Sequence, residues 1–150
     1  MPLPLTWPAH ATPEEAAAWM NTHFPNTMME HLRLRVLTLS PGRATGEMPV
    51  HDGILGIHRA VHMGAFVTLA DTIATWASMA AHAKAGVPPR LPLAISAGAQ
   101  FLANVGHGTL RAESAAARIG RTIDAMDTRI THVETGTLLA VVHTTHFVPR

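Results

Sequence analysis

Residues 60–81 read AVHMGAFVTLADTIATWASMAA, and the fold turns on how this stretch is understood. It is about long enough to cross a bilayer, but it carries His62, Thr68, Asp71 and Thr72. A mid-segment aspartate costs roughly 2.5–3.5 kcal/mol on insertion, so a helix buried inside a soluble protein is the better reading. The segment is apolar nearly all round, through Met63, Phe66, Val67, Leu69, Ile73, Trp76 and Met79. A helix without a polar face has to be enclosed by other structure. The spacing predicts a helix that starts between His58 and Met63 and runs to about Ala85, closed by Gly86-Val87-Pro88-Pro89.

What encloses it lies on both sides. Upstream, Thr12-Pro13-Glu14-Glu15 is a helix start, with Thr12 as cap, Pro13 at the first helical position and Glu15 closing a capping box. That helix stops near Phe24-Pro25. From His31 to Val36 the chain alternates with period two, setting Leu32, Leu34 and Val36 on one strand face. Ser40-Pro41-Gly42 turns the chain into a returning strand from Ala44 to Val50, and His51 to Ile57 is a loop containing Gly53 and Gly56. Downstream come strand-like runs at Leu91–Leu102, Thr109–Ala117, Thr122–Glu134 and Thr137–Phe147, the last two a hairpin through Glu134-Thr135-Gly136. There is no βαβ alternation. The order predicts an α+β fold in which an antiparallel sheet wraps one long central helix, in a single domain over 1–150 with residues 1–26 as an N-terminal extension.

Composition narrows the function. The chain has 150 residues, enough to bury about 70% of its unfolded surface without staples. It has no cysteine, which excludes a thiol nucleophile, a disulfide scaffold and Cys-based metal sites. Charged residues are only 14% against 47% apolar, which points to a surface partly covered by another subunit. A net charge of +1 gives no basic field for nucleic acid. The stretch Met1-Pro2-Leu3-Pro4-Leu5-Thr6-Trp7 lacks a basic segment and is broken by prolines, so a cytoplasmic protein is expected.

Asp71 is the chief candidate for chemistry. A carboxylate amid an apolar helix is expensive unless it is paired or faces a wet cleft, and a rigid helix would fix it as a general base or nucleophile. Upstream lie His58-Arg59-Ala60-Val61-His62-Met63-Gly64. With a helix start near His62, Gly64 falls in the first turn, where backbone N–H groups lack intrahelical partners. A glycine there admits a carbonyl oxygen to those donors, the geometry of an oxyanion hole. Gly64 and Asp71 are two turns apart and share a face.

The segment His62–Thr72, with its histidine-to-aspartate interval, resembles the His-Gly-Gly…Leu-Ala-Asp signature of hotdog-fold thioesterases of the phenylacetate-pathway (PaaI-like) group. Met48-Pro49-Val50, Phe101-Leu102-Ala103-Asn104 and Ala117-Arg118-Ile119-Gly120-Arg121-Thr122 extend the similarity over about Thr27 to Val148. The resemblance implies a hotdog domain paired as a homodimer or homotetramer, with an acyl-CoA thioester at the interface and neither cofactor nor metal. Asp71 would activate water or attack the carbonyl, the Gly64 amide would polarise it, and His62 would orient the loop. Met63, Phe66 and His58 would line the substrate, and Arg118 and Arg121 would meet the nucleotide phosphates of coenzyme A. Two positions depart from the pattern: Met63 replaces its first glycine, and Gly56 stands where it has an asparagine, with His58 the nearest replacement.

Rival readings rest on fewer residues. Asp52 and His58 approach a hydratase spacing without its Asn-Pro, and His23-Phe24-Pro25 echoes a dehydratase motif whose glutamate is replaced by Leu37. His58 and His62 would share a helix face as a metal pair, but Arg59 occupies the place of the required glutamate. His143 and His146 fall on opposite sides of a strand and read as surface or interface residues. The last rival is a hotdog dimer that binds acyl-CoA without hydrolysing it.

Overall fold

Thr12 caps the first helix as its sequence dictates. Its Oγ1 accepts from the Glu15 amide at 3.2 Å, and Glu15 Oε2 accepts from the Thr12 amide at 2.8 Å. The structure, a computed structural model, describes residues 5–149, so the targeting reading of residues 1–4 lies outside the described residues. Helix α1 (Pro13–Asn21) buries Ala16, Ala17 and Met20 and packs on the first strand.

That strand begins later than its alternation predicts. A four-residue helix, α2 (Met28–His31), takes up the start of the alternating run, and Arg33 turns the chain at φ +56°. Strand β1 is Arg35–Ser40, with Leu34 and Val36 still buried. Beside the short helix, Glu30 Oε2 accepts from the Asn26 amide at 2.6 Å.

The remaining elements are β2 (Arg43–Pro49), α3 (Met63–His82), β3 (Leu93–Phe101), β4 (Thr109–Arg118), β5 (Ile123–His132) and β6 (Leu138–Phe147). The six strands form one antiparallel sheet in the order β1-β2-β4-β5-β6-β3. Helix α3 touches all six, as a helix apolar on most sides must. It ends at His82, three residues before the predicted Ala85. This is the hotdog arrangement, α+β, with an antiparallel sheet around one long helix.

Small residues on the inner sheet face make room for α3. Gly46 lies there opposite Ala112, which in turn faces Ile130; Met48 faces Leu110, and Ala44 faces Ser114. A Cβ on Gly46 would collide with Ile73 Cδ1, so glycine is what lets the helix approach β2. Phe66, Leu69, Ile73 and Met79 are at most 1% exposed. Each such side chain contributes about 2 kcal/mol by leaving water. Strand β3, at the sheet edge, differs: Leu93, Ile95, Phe101 and the following Leu102 are 40–60% exposed.

Candidate active site

Two loops fix the start of α3. The His62 amide donates to Ile54 O at 2.8 Å, the Val61 amide to Val105 O at 2.9 Å, and Asn104 Nδ2 to Val61 O at 2.8 Å. His62 is thereby the N-cap, with Met63 and Gly64 opening the helix. The helix starts at Met63, the downstream end of the predicted range from His58 to Met63.

The cap has a consequence for Gly64. Its N–H donates to His62 Nδ1 at 3.0 Å, so an incoming carbonyl oxygen must share or replace that bond. A Cβ on Gly64 would meet only the His62 ring, at 3.0 Å. Met63 is 37% exposed beside it. His58 is exposed in the loop and its ring packs along Gly56. Phe66 requires a correction. It is fully buried, with its ring centroid 6.0 Å from that of Phe101, because its helix position turns it into the core. Phe101, 40% exposed, is the ring that reaches the surface.

Asp71 lies two turns beyond Gly64, about 10 Å along the axis. Its side chain is 43% exposed, yet Oδ1 is buried and has no hydrogen-bond partner among the described residues. That oxygen faces His146 Nε2 at 3.6 Å, and the same nitrogen is 3.1 Å from Thr75 Oγ1. The carboxylate therefore has one inward oxygen against a buried imidazole and the rest of the group open.

His146 is the second correction. It is 0% exposed, not a surface or interface residue, because its register against Asp124 turns it under α3. His143, three positions away, is exposed and pairs with Asp127 at 2.6 Å. The signal that could have revealed His146 is on the helix: Asp71, Thr75, Ser78 and His82 recur at i, i+4, i+7 and i+11, a polar stripe on a helix that otherwise reads as apolar all round. Below His146, Asp124 is buried and accepts from Ser78 Oγ at 2.6 Å, from the Gly120 amide at 2.9 Å, and lies 2.8 Å from His82 Nε2.

The predicted arginines stand apart from this group. Arg118 ends β4 and is exposed, while Arg121 lines a cleft of about 320 Å³ at the far end of α3 together with His82, Lys84 and Arg90. His82 is eleven residues from Asp71, roughly 16 Å along the helix. At the other end of β4, the Thr109 amide donates to Glu134 at 3.0 Å and holds that carboxyl below its ordinary range.

The rival constellations are dispersed. Asp52 is exposed and paired with Arg59 at 2.6 Å. His23 lies two residues past α1 with Nδ1 2.9 Å from Trp19 O. His58 and His62 do not share a helix face, since the helix begins at Met63. Among the described residues, no group of three or more His, Asp or Glu side chains could hold a metal ion, and no helix is long and apolar enough to cross a membrane.

Comparison with known proteins agrees with the fold. A family model described as the thioesterase superfamily matches residues 58–139, from the loop before α3 into β6. No curated protein sequence matches the chain. Among solved structures, a thioesterase of Haemophilus influenzae superimposes with a TM-score of 0.81 at 22% identity, covering 97% of this chain and 96% of that one. A mutant of the phenylacetic acid degradation protein PaaI of Thermus thermophilus gives 0.71 at 25% identity, covering 81% and 97%. The PaaI protein of Escherichia coli gives 0.76 at 22% identity, covering 89% and 94%.

Proposed function

This chain belongs to the thioesterase superfamily, whose reaction is acyl-thioester hydrolysis, and from that premise we propose that its substrate is an acyl-CoA and that Asp71 carries the chemistry. The observation that carries the reading is the carboxylate itself: an acidic group held by a rigid, otherwise buried helix, with its side chain 43% exposed two turns beyond Gly64. A helix fixes the position of a base to within what proton transfer requires.

The chemistry follows in two forms. As general base, Asp71 takes a proton from water while the oxygen attacks the thioester carbon. As nucleophile, its oxygen attacks directly and gives a mixed anhydride that water then hydrolyses. In both, the carbonyl oxygen becomes an oxyanion, the C–S bond breaks, and the CoA thiolate leaves and is protonated. The oxyanion sits at the N-terminus of α3, where the Gly64 N–H and the positive end of the helix dipole stabilise it. His62 Nδ1, which holds that N–H at 3.0 Å, turns aside as the oxygen arrives. His62 thereby orients the cap, and His58 and Met63 border the acyl group. Arg121, with Lys84 and Arg90 in its cleft, and Arg118 on the adjacent strand end supply positive charge for the nucleotide phosphates.

One chain supplies only part of the cleft. With Phe66 in the core, the second wall comes from another copy, and the exposed apolar edge strand β3 is the surface that favours a homodimer.

The test is free-thiol release from short, medium and aromatic acyl-CoAs. Wild type releases thiol, and Asp71→Asn loses about 10²–10⁴ in rate, the range of a positioned general base. Undiminished release by Asp71→Asn overturns the mechanism. A second reading has its own support, because the Gly64 amide is already bonded and Gly56 and Met63 depart from the family pattern. In that reading the dimer binds acyl-CoA without hydrolysis, and the ligand raises the melting temperature while no thiol appears.

A further inference from the structure

We propose that His146 is the positioning residue of Asp71: when substrate binds, its Nε2–H takes the inner oxygen of that carboxylate and directs the outer oxygen toward the thioester or the attacking water. The inference rests on the role given to Asp71 above.

Four polar residues of α3 (Asp71, Thr75, Ser78 and His82) lie along one face, and the cross-strand pair Asp124 and His146 stands opposite. The lower half of this file is saturated, since Ser78, His82 and the Gly120 amide all engage Asp124. The upper half is not. His146 is fully buried, and its Nδ1 has no hydrogen-bond partner among the described residues; neither has the buried Asp71 Oδ1 3.6 Å from its Nε2. Two buried polar atoms left open where Val or Leu would pack form an arrangement that packing alone disfavours.

The tautomer follows from the neighbours. With the proton on Nδ1, a buried N–H would lack an acceptor and the Nε2 lone pair would face a carboxylate oxygen. With the proton on Nε2, that N–H points between Thr75 Oγ1 at 3.1 Å and Asp71 Oδ1 at 3.6 Å. The second arrangement is the favoured one. At 3.6 Å the approach to Asp71 is too long for a hydrogen bond. Such bonds commonly tighten when substrate binds, and Thr75 holds the N–H ready until then.

The test compares His146→Phe, which keeps a ring and removes the donor, with His146→Gln, whose amide nitrogen replaces Nε2. The Phe variant is expected to melt as a folded protein and to lose roughly 10- to 100-fold in kcat with little change in KM, the worth of a hydrogen bond to a charged group. The Gln variant recovers most of that loss, and on an Asp71→Asn background the Phe change has no further effect. Independently of activity, 15N NMR of the wild-type imidazole finds the proton on Nε2 and a bare Nδ1. Wild-type kcat in a folded His146→Phe, full multiplication of the two losses, or a proton on Nδ1 overturns the proposal. If the Phe variant does not fold, the NMR assignment and the Gln variant decide, and a Gln variant that stays at the level of Asp71→Asn also overturns it. Asp71→Asn with undiminished rate overturns the role of Asp71 itself, whatever His146 does.

Discussion

The amide of Gly64 is the oxyanion donor of the proposed chemistry, and its geometry makes a clean test. A Cβ there meets only the His62 ring at 3.0 Å, the end of a side chain that can swing away. Gly64→Ala should therefore fold and melt nearly as wild type while barring close approach of the carbonyl oxygen. Loss of an oxyanion donor is worth about 10²–10³ in kcat. Thiol-release kinetics with a thermal melt check both halves, and a folded variant with wild-type kcat would remove Gly64 from the mechanism. At this scale the sequence was uneven. Asp71 stood out because a charge inside an apolar helix is costly wherever it goes, and Gly64 because a first-turn glycine has few other uses. His146 was hidden, because its burial depends on the strand register opposite α3, and nothing local in Val142-His143-Thr144-Thr145-His146 states which histidine faces in. Phe66 went the other way: a large apolar residue near a cleft and one in the core look alike until the helix is oriented.

Elements were more legible than side chains. The central helix, its start to within the span His58–Met63, and the hairpin of β5 and β6 follow from caps, breakers and alternation, which act locally. The start of β1 did not, because a period-two run does not show where the strand begins, and the chain turns at Arg33, φ +56°, before β1 starts at Arg35. The polar stripe of α3 was present in the spacing of Asp71, Thr75, Ser78 and His82, but threonine and serine weigh little in a hydropathy pattern. Its lower half is a clamp between helix and sheet. Asp124→Ala removes the acceptor of buried Ser78 and of the Gly120 amide, as well as the partner of His82. Stranding buried donors costs about 1–3 kcal/mol apiece, so a loss of roughly 3 kcal/mol is expected overall. For a chain of this size that lowers the melting temperature by about 6–12 °C. Calorimetry measures it, and a shift under about 2 °C would mean that the clamp is not structural.

The whole molecule explains why composition looked too apolar for one domain. The inward faces of β2, β4, β5 and β6 and the helix account for much of it, but Leu93, Ile95 and Phe101 remain open along β3, one of the two edges of the sheet, and Leu102 just after it. An edge strand with free backbone groups and apolar side chains is a surface that natural proteins ordinarily blunt with charge or cover. No Lys, Arg, Asp or Glu lies between Leu91 and Leu102, so this edge carries no such protection. Ile95 is the sharpest probe. It sits at the register shift between Ala94 and Ser96 and is 60% exposed, so replacing it leaves the fold of the single chain alone. Ile95→Asp should therefore turn a dimer into a monomer by light scattering without lowering helix or strand content by circular dichroism. Thiol release should fall with it if, as proposed, a second copy supplies the other wall of the cleft, because the monomer keeps only Asp71 and Gly64. If the variant is monomeric and still hydrolyses acyl-CoA at the wild-type rate, the site lies within one chain. If it remains a dimer, β3 is not where the copies meet.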